Sequence, residues 1–271
     1  MLKDYHIHTK RCKHAQGEMH AYVEVAIEKN INEIAFTDHI PLPNDFDLPH
    51  RMAFNELEGY LNEVENLRRQ YPELKIRSGI EADYYEGFED FLDKTISEFQ
   101  FDITIMSVHF IKNWPKNNWV FSYYFPDKSI EDIYSDYLGA VKKGVETGLF
   151  QIVGHLDLIK SEDAPLLSTN PEDVDMLLWS ISKQKMAVEL NTSGLRKAIN
   201  ELYPAPEIIP QLINYNIPIT TGSDAHQPEQ VGFQFNELEQ QLKNFQSLMM
   251  PKNLIFFSHL YLHVRNGILI Y

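Results

Sequence analysis

The sequence has 271 residues, 44% of them hydrophobic and 12% aromatic, enough to bury a substantial core, which excludes a disordered chain and a disulfide miniprotein. Lys and Arg number 24 against 39 Asp and Glu, for a formal net charge of −15, so no diffuse attraction draws the chain to nucleic acid or to an anionic membrane. Cys12 is the single cysteine, so no intramolecular disulfide can form and a reducing, cytoplasmic setting is expected.

Short β-type runs alternate with longer amphipathic segments along the chain. DYHIH precedes a predicted helix over Glu18 to Asn30, NEIAFTDH one over Phe54 to Tyr71, and LKIRSGIEADY one over Phe88 to Phe99. FDITIMSVHF is followed by an aromatic, Asn-rich stretch (Asn113 to Phe125) and a helix over Ile130 to Gly148, with Gly144 and Gly148 marking its end. FQIVGHLD precedes a helix over Asp173 to Lys183, MAVELNTSG one over Leu202 to Tyr215, and IPITTGSDAH a last one near Phe235 to Phe245. Roughly seven strand-then-helix units predict an α/β fold with parallel βαβ topology. Polar chemistry follows nearly every strand, and a closed barrel is the arrangement that gathers seven strand ends round one mouth.

The N-terminus, MLKDYHIHTKRCKH, has no apolar stretch of signal-peptide length, and no apolar run is long enough to span a bilayer, so a soluble protein is expected. Asn44 to His50 and Asn113 to Asp127 are the expected loops over the mouth. No linker or repeat divides the chain, and residues 1–271 are read as one domain. The tail from Leu254 to Tyr271 reads as a terminal hairpin, to which no function is assigned.

Histidine is usually scarce, and here 11 histidines cluster after apolar runs. His6 and His8, two apart on the first strand, project from one face and can grip one ion. Asp38 and His39 end FTDH, and Glu81 ends SGIE. His109 in SVHF, His155 in VGHLD, and Asp224 with His226 in GSDAH repeat the arrangement. Packed together without ions, these groups would repel or desolvate one another at a cost of several kcal/mol, whereas divalent ions make the cluster favourable. One ion takes roughly four to six ligands, so the pool implies two or three ions, of Zn, Mn or Fe from the mixed imidazole and carboxylate donors.

His14, in RCKHAQGE, lies on the loop after the first strand, within reach of the mouth, although read alone it is a solvated loop histidine. His20, His50, His259 and His263 follow no strand in this way and are read as structural or surface residues. Cys12 is left out, since ligation requires it to point inward. Arg196, in ELNTSGLRK, and Lys160, in HLDLIK, are cations at the predicted mouth, the first offering a bidentate fork for phosphate and the second a point charge. The alternative for both is an ion pair with no part in binding. A multinuclear site with these cations suits hydrolysis of a phosphate ester.

The motifs His6-Ile7-His8, Thr37-Asp38-His39, Gly79-Ile80-Glu81, Ser107-Val108-His109, Gly154-His155-Leu156-Asp157 and Ser223-Asp224-Ala225-His226 resemble the PHP superfamily of metal-dependent phosphoesterases. Cys12-Lys13-His14 with Gly17, Thr37-Asp38-His39-Ile40-Pro41 and Asn191-Thr192-Ser193-Gly194-Leu195-Arg196-Lys197 resemble more narrowly the PHP-type histidinol-phosphate phosphatases. The resemblance implies a distorted seven-stranded (β/α)7 TIM-like barrel, the PHP fold, with a trinuclear centre in its mouth. It implies His6, His8, Glu81 and Asp224 at one metal position, Glu81, His109 and His155 at a second, and His14, His39 and His226 at the third. Arg196 matches the phosphate-binding arginine of that family, and Lys160 stands where a basic residue is expected.

The implied reaction is hydrolysis of L-histidinol phosphate to L-histidinol and phosphate, in histidine biosynthesis. In-line attack by a metal-bound hydroxide is the expected mechanism, with Arg196 countering charge on the phosphoryl oxygens. Asp38 and Asp157 are read as orienting histidines, and Asp45 and Glu162 as candidates for holding the leaving group. Nucleotides or other small phosphate esters are the nearest rival substrates, but the acidic balance and the lack of a basic, aromatic-interleaved stripe weigh against nucleic acid. Amide hydrolysis or deamination in a similar barrel leaves Arg196 and Lys160 without a purpose. A purely structural metal site is at odds with a Cys-poor pool spread around a pocket.

Overall fold

Seven strands run parallel in chain order: β1 (Lys3–Ile7), β2 (Glu33–Phe36), β3 (Lys75–Asp83), β4 (Ile103–Ser107), β5 (Ile152–Val153), β6 (Ala187–Asn191) and β7 (Ile219–Gly222), each paired with the next. A bridge between Ile7 and Ala225, with the His8 N–H donating to Ala225 O at 2.9 Å, brings the last strand end back to the first. The result is the nearly closed barrel that the alternation predicts. The computed structural model describes residues 3–114, 119–121, 125, 127–161, 163–240, 242, 262–263 and 269–270.

Asp4 staples this closure. Its fully buried carboxylate accepts from Ser223 N at 2.9 Å, Ser223 Oγ at 2.5 Å and Gly232 N at 2.8 Å. Burial raises the Asp4 carboxyl above the usual range, against the pull of these donors.

The strands are buried along almost their whole length, as expected where helices cover the outside. Tyr5, Ala35, Ile103, Ile105, Ile152 and Ala187, from five different strands, form a cluster separate from the main core and fill the barrel interior. Side chains two apart on a strand share a face, so continuing up from this apolar floor leads to Ser107 on β4 and to Glu189 and Asn191 on β6. A bulge between Asp4 and Ile7 shifts the register of β1.

Outside lie α1 (Met19–Glu28), α2 (Leu57–Gln70), α3 (Glu89–Phe99), α4 (Ile130–Glu146), α5 (Leu166–Thr169), α6 (Pro171–Gln184) and α7 (Ile209–Asn214). α2 turns Leu57, Tyr60, Val64 and Leu67 inward at helical spacing. Ser129 caps α4 by accepting from Asp132 N at 3.1 Å, and α6 starts with Pro171 in its first turn.

Two expectations are corrected. The helix predicted from Leu202 begins only at Ile209, after a 3-10 turn over Pro206–Ile208, because Pro204 and Pro206 lack the donors a helix needs and Tyr203 pairs instead with Asn191. Gly144 lies inside α4, where a side chain would collide with Met106 and Tyr84, and Gly148 alone, at φ 69°, follows the helix end. α5 is an added turn before α6 that periodicity did not suggest.

Residues 235–240 are helical, whereas Phe245 lies outside the described residues. So do parts of the expected loop from Asn113 to Asp127 and most of the tail, within which Leu262–His263 pairs antiparallel with Leu269–Ile270. Among the described residues no helix is long and apolar enough to cross a membrane.

Candidate metal centre

The C-terminal ends of the strands converge on Glu81. Its Oε1 lies 3.0 Å from His155 Nε2 and 3.8 Å from His109 Nε2, and its Oε2 2.9 Å from His39 Nδ1, 3.4 Å from His8 Nε2 and 3.5 Å from His6 Nε2. One carboxylate thus faces five imidazoles while being 1% exposed. Asp224 Oδ1 approaches the same group, 3.3 Å from His8 Nε2, and it is aimed there by a left-handed backbone at φ 52°. His14 and His226 face each other at 2.9 Å, Nε2 to Nε2. Every candidate ligand expected from the sequence is therefore in one cluster.

In four of the histidines Nδ1 is tied back, which turns Nε2 toward the cluster. His6 Nδ1 donates to Glu189 Oε1 at 2.7 Å and His109 Nδ1 to Asp83 Oδ1 at 2.6 Å. His14 Nδ1 donates to Cys12 O at 2.7 Å, and His226 Nδ1 to Asp224 O at 3.0 Å. Backbone carbonyls and carboxylates in this position fix tautomer and ring direction, the usual support of a metal-binding imidazole. Asp38 lies 3.6 Å from His8 Nδ1, beyond hydrogen-bond distance, and accepts from Thr9 N at 3.2 Å. Asp157 does not orient a histidine: it accepts from Ala205 N at 2.7 Å and pairs with Lys160 at 3.4 Å.

Burial alone would raise the Glu81 carboxyl, but His39, His6 and His109, with the bond from His155, hold it well below the usual range. Burial would likewise raise Asp224, and His6 and His8 outweigh it. His6 and His8 are pushed well above the ordinary imidazole value, against their burial, by Glu189, Glu81, Asp224 and Asp38. His39 is lowered to about 4, chiefly by burial. Without ions, protons on imidazoles balance the carboxylates, and divalent ions can take the place of those protons.

The donor set fits metal on a second ground. His8 Nδ1 and His155 Nδ1 are buried without a hydrogen-bond partner, and such orphans are costly unless something else meets them. Among the described residues five sets bring ligand atoms within 4.8 Å of one another, and three of them follow the expected groupings: His6, His8 and Glu81; Glu81, His109 and His155; and His14, His39 and His226.

Arg196 stands at the edge of this cluster. Its Nη2 donates to Ser223 O at 2.8 Å and Asp224 O at 3.0 Å, while Nη1 is buried without a partner. Lys160 is held elsewhere, 2.8 Å from Glu201 and 3.4 Å from Asp157, with a further bond to Leu202 O and its ammonium 4.8 Å from the Tyr203 ring centre. Over the mouth, Trp119 packs edge-on to His50 at 4.8 Å, and Phe121, half exposed, stacks on His109 at 6.0 Å. His50 bonds Asp47 at 2.6 Å, and Asp45 is exposed in a 3-10 turn. His20 is exposed, while Glu162, His259 and the His263 side chain lie outside the described residues.

The PHP domain profile matches residues 4–193, and a second profile, described as PHP-associated, matches residues 212–251. The chain belongs to the PHP family. Within that family it groups with phosphatases. It is 34% identical over 248 residues to a "Probable histidinol-phosphatase" of Deinococcus radiodurans, covering 90% of this chain and 93% of that one. It is 30% identical over 260 residues to the histidinol-phosphatase of Bacillus subtilis, covering 86% and 96%. The PHP barrel also superposes, with a TM-score of 0.76 and 22% identity, on histidinol phosphate phosphatase from Lactococcus lactis, solved with zinc, L-histidinol and phosphate, covering 90% of this chain and 93% of that one.

Sequence reasoning missed several residues of this PHP site. Glu189 and Asp83 orient His6 and His109, and both sit two residues from a polar position already singled out, so the same-face rule run along β6 and β3 finds them. Gly222 makes room for Glu189, because a side chain there would overlap Glu189 Oε1. Arg51, 2% exposed, joins Asp47 at 2.8 Å to Asp83 at 3.0 Å and so clamps the loop after β2 onto the site. Nothing in the sequence marks Arg51 out.

Proposed function

We propose that the chain hydrolyses L-histidinol phosphate to L-histidinol and phosphate at a centre of two or three divalent ions. The observation that carries this reading is Glu81 set among five imidazoles, with Arg196 Nη1 free beside Asp224. His6, His8, Glu81 and Asp224 would hold one ion, Glu81 with His109 and His155 a second, and His14, His39 and His226 a third. Imidazole with carboxylate suits Zn, Mn or Fe. When bound, such ions supply Lewis acidity toward a phosphoryl oxygen and acidify water into a nucleophile near neutral pH.

The residues of the chain do the rest. Glu189 and Asp83 keep His6 and His109 in one tautomer, so the ligand nitrogens stay aimed at the centre. Arg196 is anchored by one arm on the Ser223 and Asp224 carbonyls, and its other arm binds the substrate phosphate and stabilises charge on its oxygens. Lys160 serves as a second phosphate cation only by leaving Glu201, so the reading rests on Arg196. The relatives named as histidinol-phosphatases support the substrate.

Chelated protein is expected to release no phosphate. After reconstitution with Zn or Mn, kcat/KM for L-histidinol phosphate is expected to stand far above that for p-nitrophenyl phosphate or a 5′-nucleotide. Slow, similar turnover of all three removes the histidinol assignment and leaves the phosphatase. No turnover with any metal removes both.

A further inference from the structure

Cys12 points into the metal centre. Thr9 caps the 3-10 turn Lys10–Cys12, accepting from Arg11 N at 3.2 Å. Lys13 then reverses the chain at φ 67°, its N–H donating to Lys10 O at 3.0 Å. The turn buries the Cys12 side chain completely and places its Sγ with a ring nitrogen each of His8 and His226, all within 4.8 Å of one another.

A second observation in the same place points to a ligand. His8 is fully buried, and its Nδ1 has no hydrogen-bond partner, the Asp38 carboxylate standing 3.6 Å away. Its ring stacks on His226 at 4.2 Å, and His226 Nε2 in turn meets His14 Nε2 at 2.9 Å. Two donors on one tetrahedral zinc, at about 2.0 Å for nitrogen and 2.3 Å for sulfur, stand roughly 3.5 Å apart, so small side-chain movements close the set.

We propose that Cys12 Sγ is a metal ligand, bound as thiolate on the side of the centre formed by His8, His14 and His226. The inference rests on the reading that this centre holds divalent ions. Binding sends the thiol proton to solvent. A sulfur donor makes this position softer than the others, so it is expected to prefer zinc over manganese.

Cys12 is the only cysteine, so every thiolate signal reports it. Full-length protein stripped of metal and loaded with cobalt is expected to show a near-ultraviolet thiolate-to-cobalt charge-transfer band. Cys12→Ser is expected to lose that band. X-ray absorption of the zinc-loaded wild-type protein, which needs no variant to fold, is expected to contain a Zn–S path near 2.3 Å. Full metal loading with neither band nor Zn–S path overturns the proposal, and absence of metal binding overturns it together with the metal-centre reading. The band without turnover of L-histidinol phosphate keeps the ligand and removes the substrate; turnover without the band does the reverse.

Discussion

Glu81→Gln is expected to lower kcat/KM for phosphate release by about 10³-fold, the scale on which a preorganised electrostatic group at a reacting centre is felt, and to leave the purified protein depleted of divalent ion. Glu81 Oε1 and Oε2 between them lie within 3.8 Å of His6, His8, His39, His109 and His155. Glutamine keeps the shape but replaces a charge acceptor by an amide whose N–H groups face ring nitrogens. The charge that Glu81 carries, held by imidazoles at a pH where a free carboxyl would be protonated, is the charge that divalent ions are drawn to. Phosphate release and metal content measured on the same preparation, with circular dichroism to show the barrel intact, check this. Wild-type turnover in the variant would take Glu81 out of the centre.

Arg196→Ala is expected to cost about 10²-fold in kcat/KM, from loss of one charged hydrogen bond worth about 3 kcal/mol. The anchored geometry sharpens the expectation. Nη2 is engaged with two backbone carbonyls, while Nη1 is buried without a partner. Lysine has no second arm with which to hold the carbonyls and the phosphate together, so Arg196→Lys is expected to recover little of the loss. Steady-state kinetics on L-histidinol phosphate, with inorganic phosphate as a competing ligand, measure both changes. Unchanged kinetics and unchanged inhibition by phosphate would remove Arg196 from substrate binding.

The barrel was legible because parallel strands buried on both faces read as apolar runs, and because polar residues at their C-terminal ends broke that pattern at regular places. His6, His8, His39, Glu81, His109, His155, Asp224 and His226 were found by that break alone. Glu189 and Asp83 lie within their strands rather than after them, so the break at the strand ends does not mark them, although the alternation that places Glu189 over Ala187 does. The inward direction of Cys12 is decided by a capped 3-10 turn and a left-handed Lys13, which spacing does not reveal. The pairing of Lys160 with Glu201 depends on a loop 41 residues further along the chain, and such pairing is fixed by tertiary packing rather than by local pattern. The helix wrongly started at Leu202 shows apolar periodicity overruled by Pro204 and Pro206.

The central claim is that this cluster is a cage for divalent ions which hold a phosphoryl group against Arg196. Anomalous diffraction from crystals of the protein grown with zinc and soaked in phosphate tests it most directly. Zinc peaks are expected between His6, His8, Glu81 and Asp224, between Glu81, His109 and His155, and beside His14, His39 and His226, with phosphate in contact with Arg196. Crystals in which those positions carry no anomalous signal at saturating zinc would contradict it.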